Sequence, residues 1–298
     1  MPNLSDKRSE AVSGIFVTDF DGTLLRDDKT IDPEDLHTLA GLRAGHTITA
    51  IATGRSQFSF HRALDDMGLS RADLPVDYLI FSTGAGIYSL NRQRTILSHA
   101  LPKKDIREIT AYFDKRGFDY MVHKAIPDTP RFLFKSHGKS NPDFDHRIQL
   151  YPSLGKPFER DSDLFEFGTE VLSIVPGGMA MEEVEALQRD LREFSVIQAT
   201  SPLDHQSAWI EVFHKAVSKS RSVAWLAKRL GVSREKVVSV GNDYNDLDLL
   251  EWSGAGFLVE NGPEDMKSRF GVVGSNNACG MSQAVRCAGL SFRRCLNV

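Results

Sequence analysis

The chain is poor in cysteine, has no excess of basic charge and contains no long apolar run. Only Cys279, Cys287 and Cys295 are present among its 298 residues, all within the last twenty positions. Their spacing matches no zinc-ligand pattern, and an odd number without an apolar leader fits reduced thiols and a cytoplasmic location. The 36 Lys and Arg residues are outnumbered by 40 Asp and Glu residues, for a net charge of −4. That balance argues against a basic nucleic-acid surface, so no nucleic-acid partner is expected. No stretch is long and apolar enough to cross a bilayer, so no membrane partner is expected either. Residues 1–13 are polar with mixed charge and read as a flexible tail. Internal repeats and low-complexity segments are also lacking.

Hydrophobic residues make up an ordinary 41% of the chain, and its length suits two domains with separate cores. The most informative segment is 15–23, Ile-Phe-Val-Thr-Asp-Phe-Asp-Gly-Thr. Ile15, Phe16 and Val17 read as a buried strand. On a strand Asp19 and Asp21 share one side while Phe20 points the other way. Gly22 permits a sharp turn. Two acids at a strand tip repel each other unless a divalent cation lies between them or one stays protonated. The alternative is a strand followed by an ordinary Asp-Gly turn.

The first third alternates strand and helix. Asp32, Pro33, Glu34 and Asp35 form a helix start with an N-cap, a proline at N1 and acids in the first turn. Strands follow at 47–52 and 78–81, with a helix running to Met67 between them. This alternation predicts a parallel sheet with helices on its faces. From about 88 to 201 the texture changes, with strands at 95–98, 118–122, 131–135, 171–175 and 196–199 and helices at 103–116 and 181–194. That stretch reads as an α+β unit inserted into the sheet domain. The sheet pattern then resumes with strands at 208–213, 237–240 and 256–259, and helices at 220–230 and 246–252.

Three further segments lie just beyond predicted strands, where parallel sheets bind ligands. Thr53-Gly54-Arg55 offers a hydroxyl, amide N–H groups and a cation, which suit a phosphate, or it is a simple strand-to-helix turn. Lys219 opens a helix against the macrodipole, which hints at an anion; the alternative is a solvated lysine, with Lys215 as a competitor. The loop from Gly241 through Asn242, Asp243, Tyr244, Asn245 and Asp246 suits a hard cation such as Mg²⁺. It reads equally as an Asx-turn capped by Asp246.

Together these segments resemble the haloacid dehalogenase superfamily of phosphohydrolases, and within it the Cof-like branch. The order is an Asp-x-Asp-Gly-Thr loop, a Thr-Gly-Arg, a lysine and an acidic Gly-x-x-x-Asn-Asp loop. Thr83-Gly84-Ala85 is similar to that branch's turn before its cap. Trp209 to Val212 followed by Lys219 is similar to its return into the core, and Asn261 and residues 276–285 to its closing segments. The likeness covers 14–88 and about 205–285. It implies an α/β fold: a doubly wound, Rossmann-like parallel-sheet core (14–88 and 202–298) with an inserted α+β cap (89–201). The cap would close over the site and decide the substrate.

The resemblance also assigns roles. Asp19 would be the nucleophile forming an aspartyl-phosphate, and Asp21 the general acid and then base. Mg²⁺ would lie among the Asp19 carboxylate, the Asp21 carbonyl and the phosphate. Thr53, Gly54, Arg55, Lys219 and Asn245 would hold phosphate. Asn242, Asp243 and Asp246 would serve the metal side, Asp246 orienting a metal-bound water or Lys219. The substrate would be a small phosphorylated metabolite, such as a sugar phosphate.

Three positions depart from the family pattern. Asn242 stands where an acid is usual, so either its uncharged oxygen binds Mg²⁺ more weakly or the loop shifts and Asp243 becomes the ligand; the reading favours Asp243. Ser220 replaces a glycine and Thr83 an asparagine. The cap carries a basic stretch with His123, Lys124, Arg131, Lys135, His137 and Lys139, none of which is assigned to the site. Two rival readings are a phosphotransferase or mutase passing the phosphoryl group to a sugar, and a non-catalytic binding protein. The oligomeric state is not legible.

Overall fold

A computed structural model describes residues 12–201 and 203–290. Most of the expected tail and Cys295 lie outside these described residues. The chain divides into two compact units. The first comprises residues up to 55, 60–96 and those from 219 onward; the second comprises 56–59 and 97–218.

In chain order the first unit contributes β1 (Gly14–Thr18), α1 (Pro33–Ala44), β2 (Thr47–Ala52), α2 (Gln57–Asp66), β3 (Tyr78–Phe81), β4 (Gly86–Ser89) and β5 (Arg94–Ser98). Next come β6 (Leu101–Pro102), α3 (Lys103–Arg116), β7 (Tyr120–Lys124), β8 (Phe132–Lys135), α4 (Pro142–Gln149) and β9 (Gly155–Pro157). The second unit finishes with β10 (Phe167–Val175), α5 (Met181–Asp190), β11 (Phe194–Thr200) and β12 (Ala208–His214). The chain then adds α6 (Lys219–Leu230), β13 (Val237–Gly241), α7 (Leu247–Trp252), β14 (Ala255–Val259), α8 (Glu264–Lys267), β15 (Gly271–Val273) and α9 (Gly280–Cys287) to the first unit.

The first sheet has the order β15-β14-β13-β1-β2-β3-β4-β5. It is parallel from β15 to β3, and β4 returns antiparallel to β3. β1 and β2 are buried along their whole length, as parallel strands covered on both faces must be. The strand order reverses between β1 and β13, which pair from Ile15–Val237 to Thr18–Val240. Such a switch point leaves a crevice at the carboxyl ends of the strands. α1 begins as its sequence demands, with the Asp32 carboxylate accepting from Glu34 N at 2.8 Å and proline in the first turn.

The second sheet runs β11-β12-β10-β7-β8-β9, with β6 beside β10. Its strands are antiparallel apart from the parallel β8–β9 pair. One apolar cluster unites Ile106, Ile109 and Phe113 of α3 with Val184 and Leu187 of α5 over Val122, Val171 and Val212. A separate cluster places Phe144 of α4 with Met121, Phe132 and Leu172.

Two expected placements are corrected. The strand at 208–213 was assigned to the core sheet, yet β12 lies between β10 and β11 of the second sheet, with Glu211 opposite both Leu172 and Ile197. A short apolar run looks the same whichever sheet buries it, so its pattern carries no address. The strand at 95–98 was assigned to the insert, yet β5 is the edge of the first sheet. The second unit accordingly spans 97–218, where the sequence reading drew 89–201.

Candidate active site

Asp19 is the first residue beyond β1. Its N–H donates to Val240 O at 2.9 Å, which ties it to β13 across the switch point. Phe20 is fully buried and meets Phe60 edge-on, with ring centroids 4.9 Å apart. β1 has ended at Thr18, and Phe20 lies in a turn where its carbonyl accepts from the N–H groups of Thr23, Leu24 and Leu25, so the side chains of 19–21 are set by this turn and not by strand alternation. Gly22 then turns the chain with φ of +71°, and a Cβ there would lie 2.7 Å from the Asn242 amide nitrogen. Only glycine fits both the dihedral and the space.

Lys219 opens α6 and is completely buried. Its Nζ donates to Asp19 Oδ1 at 2.7 Å, Asp246 Oδ1 at 2.5 Å and Asn245 Oδ1 at 3.4 Å. The unfavourable helix terminus is therefore offset by two carboxylates. Burial alone would lower the Lys219 pKa, but Asp19 and Asp246 more than reverse this and hold it above its ordinary value. Burial raises the Asp19 pKa, and the Asp246 charge raises it further. Lys219 opposes both, and the carboxyl is pushed up to about 8.

Asp246 has both oxygens occupied. Oδ1 takes Lys219, and Oδ2 accepts from the backbone N–H groups of Asn242 at 2.9 Å and Asp243 at 3.2 Å. The Asp243 carboxylate accepts from Tyr244 N at 2.8 Å and caps the short turn at 244–246. The residue of this loop that faces Asp19 and Asp21 is Asn242. The sequence reading favoured Asp243 for that position and is corrected here: in extended backbone just before the turn, Asp243 is placed to cap it.

Asn242 Oδ1 lies 3.1 Å from Asp19 Oδ2, 2.9 Å from the Asp21 carbonyl oxygen and 3.1 Å from Thr23 Oγ1. Turned by 180°, the amide would donate to the same three atoms. As placed, Asn242 Oδ1 lies about as far from Asp19 Oδ2 and from the Asp21 carbonyl as neighbouring Mg²⁺ ligands lie from each other, since bonds of ~2.1 Å separate them by about 3.0 Å. The donor set of one carboxylate, one peptide carbonyl and one amide suits an ion that keeps several waters. Among the described residues no group of three or more His, Cys, Asp or Glu could hold a metal.

The Asp21 carboxylate is gripped by Arg55, with Nε donating to Oδ2 and Nη2 to Oδ1, both at 2.7 Å. Arg55 was expected on phosphate; here its guanidinium spans a carboxylate. Thr53 is buried, and its Oγ1 accepts from Arg55 N at 3.0 Å. A Cβ on Gly54 would lie 3.7 Å from both Asn245 Nδ2 and Thr83 Oγ1, so Gly54, Asn245 and Thr83 share one small space. Thr83 has φ of +53°, unusual for a β-branched residue. Ser220, in place of the family's glycine, bonds Asp248 Oδ2 through its N–H at 3.2 Å and its hydroxyl at 2.5 Å.

Thr23, Asn261 and Asn276 were not assigned to the site by sequence reasoning. Thr23 belongs to the opening motif, and the two asparagines lie in segments singled out only by resemblance. In the second unit, part of the basic stretch is met by local carboxylates: Lys124 by Asp128 at 2.8 Å, and Lys135 and His137 by Asp114 at 2.8 and 3.1 Å.

A family model described as haloacid dehalogenase-like hydrolase matches residues 16–285. The 5-amino-6-(5-phospho-D-ribitylamino)uracil phosphatase YitU of Bacillus subtilis is 25% identical, over 85% of this chain and 88% of its own. The pyridoxal phosphate phosphatase YbhA of Escherichia coli is 21% identical, over 91% and 97% respectively. Among solved structures, the haloalkanoate-superfamily phosphatase BT1666 of Bacteroides thetaiotaomicron superposes with a TM-score of 0.73 at 17% identity, covering 98% of this chain and all of that one.

Proposed function

Because the chain belongs to the haloacid dehalogenase-like hydrolase family and its relatives are named phosphatases, we propose that it is a Mg²⁺-dependent phosphomonoester hydrolase. It acts on a small phosphorylated metabolite, with a sugar phosphate or sugar-alcohol phosphate as the class to test first. The relatives' named substrates, a phosphorylated ribitylaminouracil and pyridoxal phosphate, support the size and chemistry. No helix among the described residues is long and apolar enough to cross a membrane. A cytoplasmic location is part of the proposal.

One observation carries this reading. The two oxygens of Asp19 have different neighbours, Oδ1 on Lys219 and Oδ2 beside the Asn242 amide, which also meets the Asp21 carbonyl. Oδ1 is the attacking oxygen, held in place by the lysine. It forms the bond to phosphorus as the ester P–O bond breaks, leaving an aspartyl-phosphate. Asp21, released from Arg55 and protonated from solvent water, passes that proton to the departing alkoxide. It then takes a proton from water, which attacks phosphorus and releases Asp19 and inorganic phosphate. Thr53 Oγ1, the Gly54 N–H, Asn245 and Lys219 hold the phosphoryl oxygens, where fixed donors stabilise the developing charge. Mg²⁺ held by Asp19 Oδ2, the Asp21 carbonyl and Asn242 would supply further neutralisation of phosphoryl charge. Asp246 serves by fixing Lys219 and the 241–243 backbone.

The test is release of inorganic phosphate from p-nitrophenyl phosphate and a panel of sugar phosphates, with and without Mg²⁺ and with and without an added sugar acceptor. Mg²⁺-dependent phosphate release supports the reading. Transfer to the acceptor in place of release would make the protein a phosphotransferase. Intact substrates in every arm would leave a binding protein.

A further inference from the structure

The closing segment of the chain touches the loop that carries Asp19 and Asp21. Asn276 is 1% exposed and opens a short turn at 276–278. Its Nδ2 donates to Leu25 O at 3.1 Å and Asp27 Oδ1 at 2.9 Å. Its backbone N–H donates to Asn261 Oδ1 at 3.0 Å. That bond fixes the Asn261 amide, because the oxygen must face the N–H. The Asn261 Nδ2 is left to donate to Gly22 O, which it does at 2.8 Å. The turn is itself held. A Cβ on Gly280 would come within 1.9 Å of Gly274 O, so only glycine closes the bend. Ser282 of α9 then donates through its N–H at 3.1 Å and its hydroxyl at 2.5 Å to the buried Asp35 of α1.

We propose that Asn276 and Asn261 are positioning residues for the candidate nucleophile loop. Acting in series, they fix the carbonyls of Leu25 and Gly22, and with them the direction of the neighbouring Asp21 carbonyl. The physical logic is sequential. Gly22 has access to far more backbone conformations than any other residue, so the peptide planes on either side of it need an external restraint. Asn242 sits against the Asp21 carbonyl on one side of Gly22, and Asn261 takes the Gly22 carbonyl on the other. Without Asn261 the Asp21 carbonyl would sample other directions, and part of the donor set proposed for Mg²⁺ would be lost with it. The strap thus makes the last described helix of the chain part of the catalytic geometry without touching substrate. Its kinetic consequence rests on the phosphatase reading; its effect on loop order does not.

The test pairs kinetics with hydrogen exchange on the full chain. Asn261→Ala removes an exposed side chain, so the fold should persist. Two effects are expected: a rise in the Mg²⁺ half-saturation of p-nitrophenyl phosphate hydrolysis by roughly three- to ten-fold, the range one such hydrogen bond carries, and faster amide exchange in the fragment spanning 20–27. Asn276→Asp, which keeps the backbone donor to Asn261 but loses the amide donors to Leu25 O and Asp27 Oδ1 and faces Asp27 with a second carboxylate, should give the same pattern. The double variant should fall short of the sum, since the two residues act through one loop. Arg286→Ala, which cuts an exposed ion pair with Glu34 outside the 20–27 fragment, is the control and should behave as wild type. Exchange at 20–27 unchanged in both Asn261→Ala and Asn276→Asp would overturn the inference whatever the activity. Faster exchange in a protein whose wild type hydrolyses nothing would uphold the strap and overturn the phosphatase reading instead.

Discussion

Arg55 and Asp21 form a two-pronged pair in which Nε and Nη2 each meet a separate carboxylate oxygen at 2.7 Å. The grip occupies both Asp21 oxygens as acceptors, whereas a general acid must have an oxygen free to donate from when the leaving group departs. Arg55 therefore acts on the proposed reaction through Asp21. Lysine cannot reproduce the planar fork. Arg55→Lys should lower kcat by roughly ten-fold while leaving KM for p-nitrophenyl phosphate within about two-fold, because Asp21 loses the fork that orients its carboxylate and the substrate loses no contact. A KM that climbs while kcat holds would return Arg55 to the phosphate.

Asp19→Asn should cut kcat by at least about a thousand-fold, because an amide cannot form the aspartyl-phosphate. The fold should tolerate it. Burial and Asp246 already push the Asp19 carboxyl up to about 8, so a neutral isostere suits the site, and Lys219 keeps Asp246 at 2.5 Å. Circular dichroism and gel filtration should match wild type. Residual turnover near the wild-type rate would remove Asp19 from the nucleophile's role.

Asn242→Asp would return a charge to the position facing Asp19 Oδ2. Without metal, two carboxylates about 3 Å apart repel, so the melting temperature in EDTA should drop below wild type. With Mg²⁺ the added charge should lower the metal half-saturation by roughly ten-fold. Asp243→Ala should leave the metal half-saturation unchanged and lower the melting temperature equally with and without Mg²⁺, the lost cap costing about 1 kcal/mol. Thermal shift across a Mg²⁺ titration reads both variants, and a larger metal effect from Asp243→Ala would reverse the assignment.

The sequence made the site's membership legible because parallel strands deliver their carboxyl ends to one edge. Lys219 and Asp19 are 200 positions apart yet 2.7 Å from each other, and the alternation of strand and helix is enough to anticipate that. It did not reveal which neighbour each side chain chooses. Acid identity favoured Asp243 as the inward residue, whereas local backbone geometry set Asp243 on a cap and Asn242 on the inside. Arg55 read as a phosphate cation because its partner, Asp21, is 34 positions away and no local pattern links them. β12 was misplaced for the same reason: its apolar pattern records burial, while the register with β10 and β11 that settles its sheet is a long-range property.

Thr83 is fully buried with φ of +53°, a left-handed conformation that a β-branched residue adopts at a cost and asparagine tolerates better. Thr83→Asn should therefore stabilise the protein by about 0.5–1 kcal/mol, seen as a melting temperature higher by about 1–4 °C for a chain of this size. A lower melting temperature would show that the threonine's contacts outweigh its backbone strain.

His123 offers a pH-dependent readout in the second unit. The ring is 5% exposed, and its Nδ1 lies 3.0 Å from Thr129 O. A carbonyl only accepts, so Nδ1 carries the hydrogen and Nε2 is a buried acceptor without a hydrogen-bond partner among the described residues. Burial, then the Arg147 charge, lowers the His123 pKa to about 4. The unfolded chain binds this proton at about 6.5 and the folded protein resists it. The stability contributed is therefore fully present above pH 6.5 and is lost as pH falls toward 4, by about 3 kcal/mol over the whole window. His123→Asn keeps a donor for Thr129 O and removes the titration. Its melting temperature should sit below wild type at pH 7.5 because of the smaller side chain, and the gap should narrow steadily between pH 6.5 and 4.5. Parallel curves for the two proteins would mean that His123 binds its proton equally well folded and unfolded.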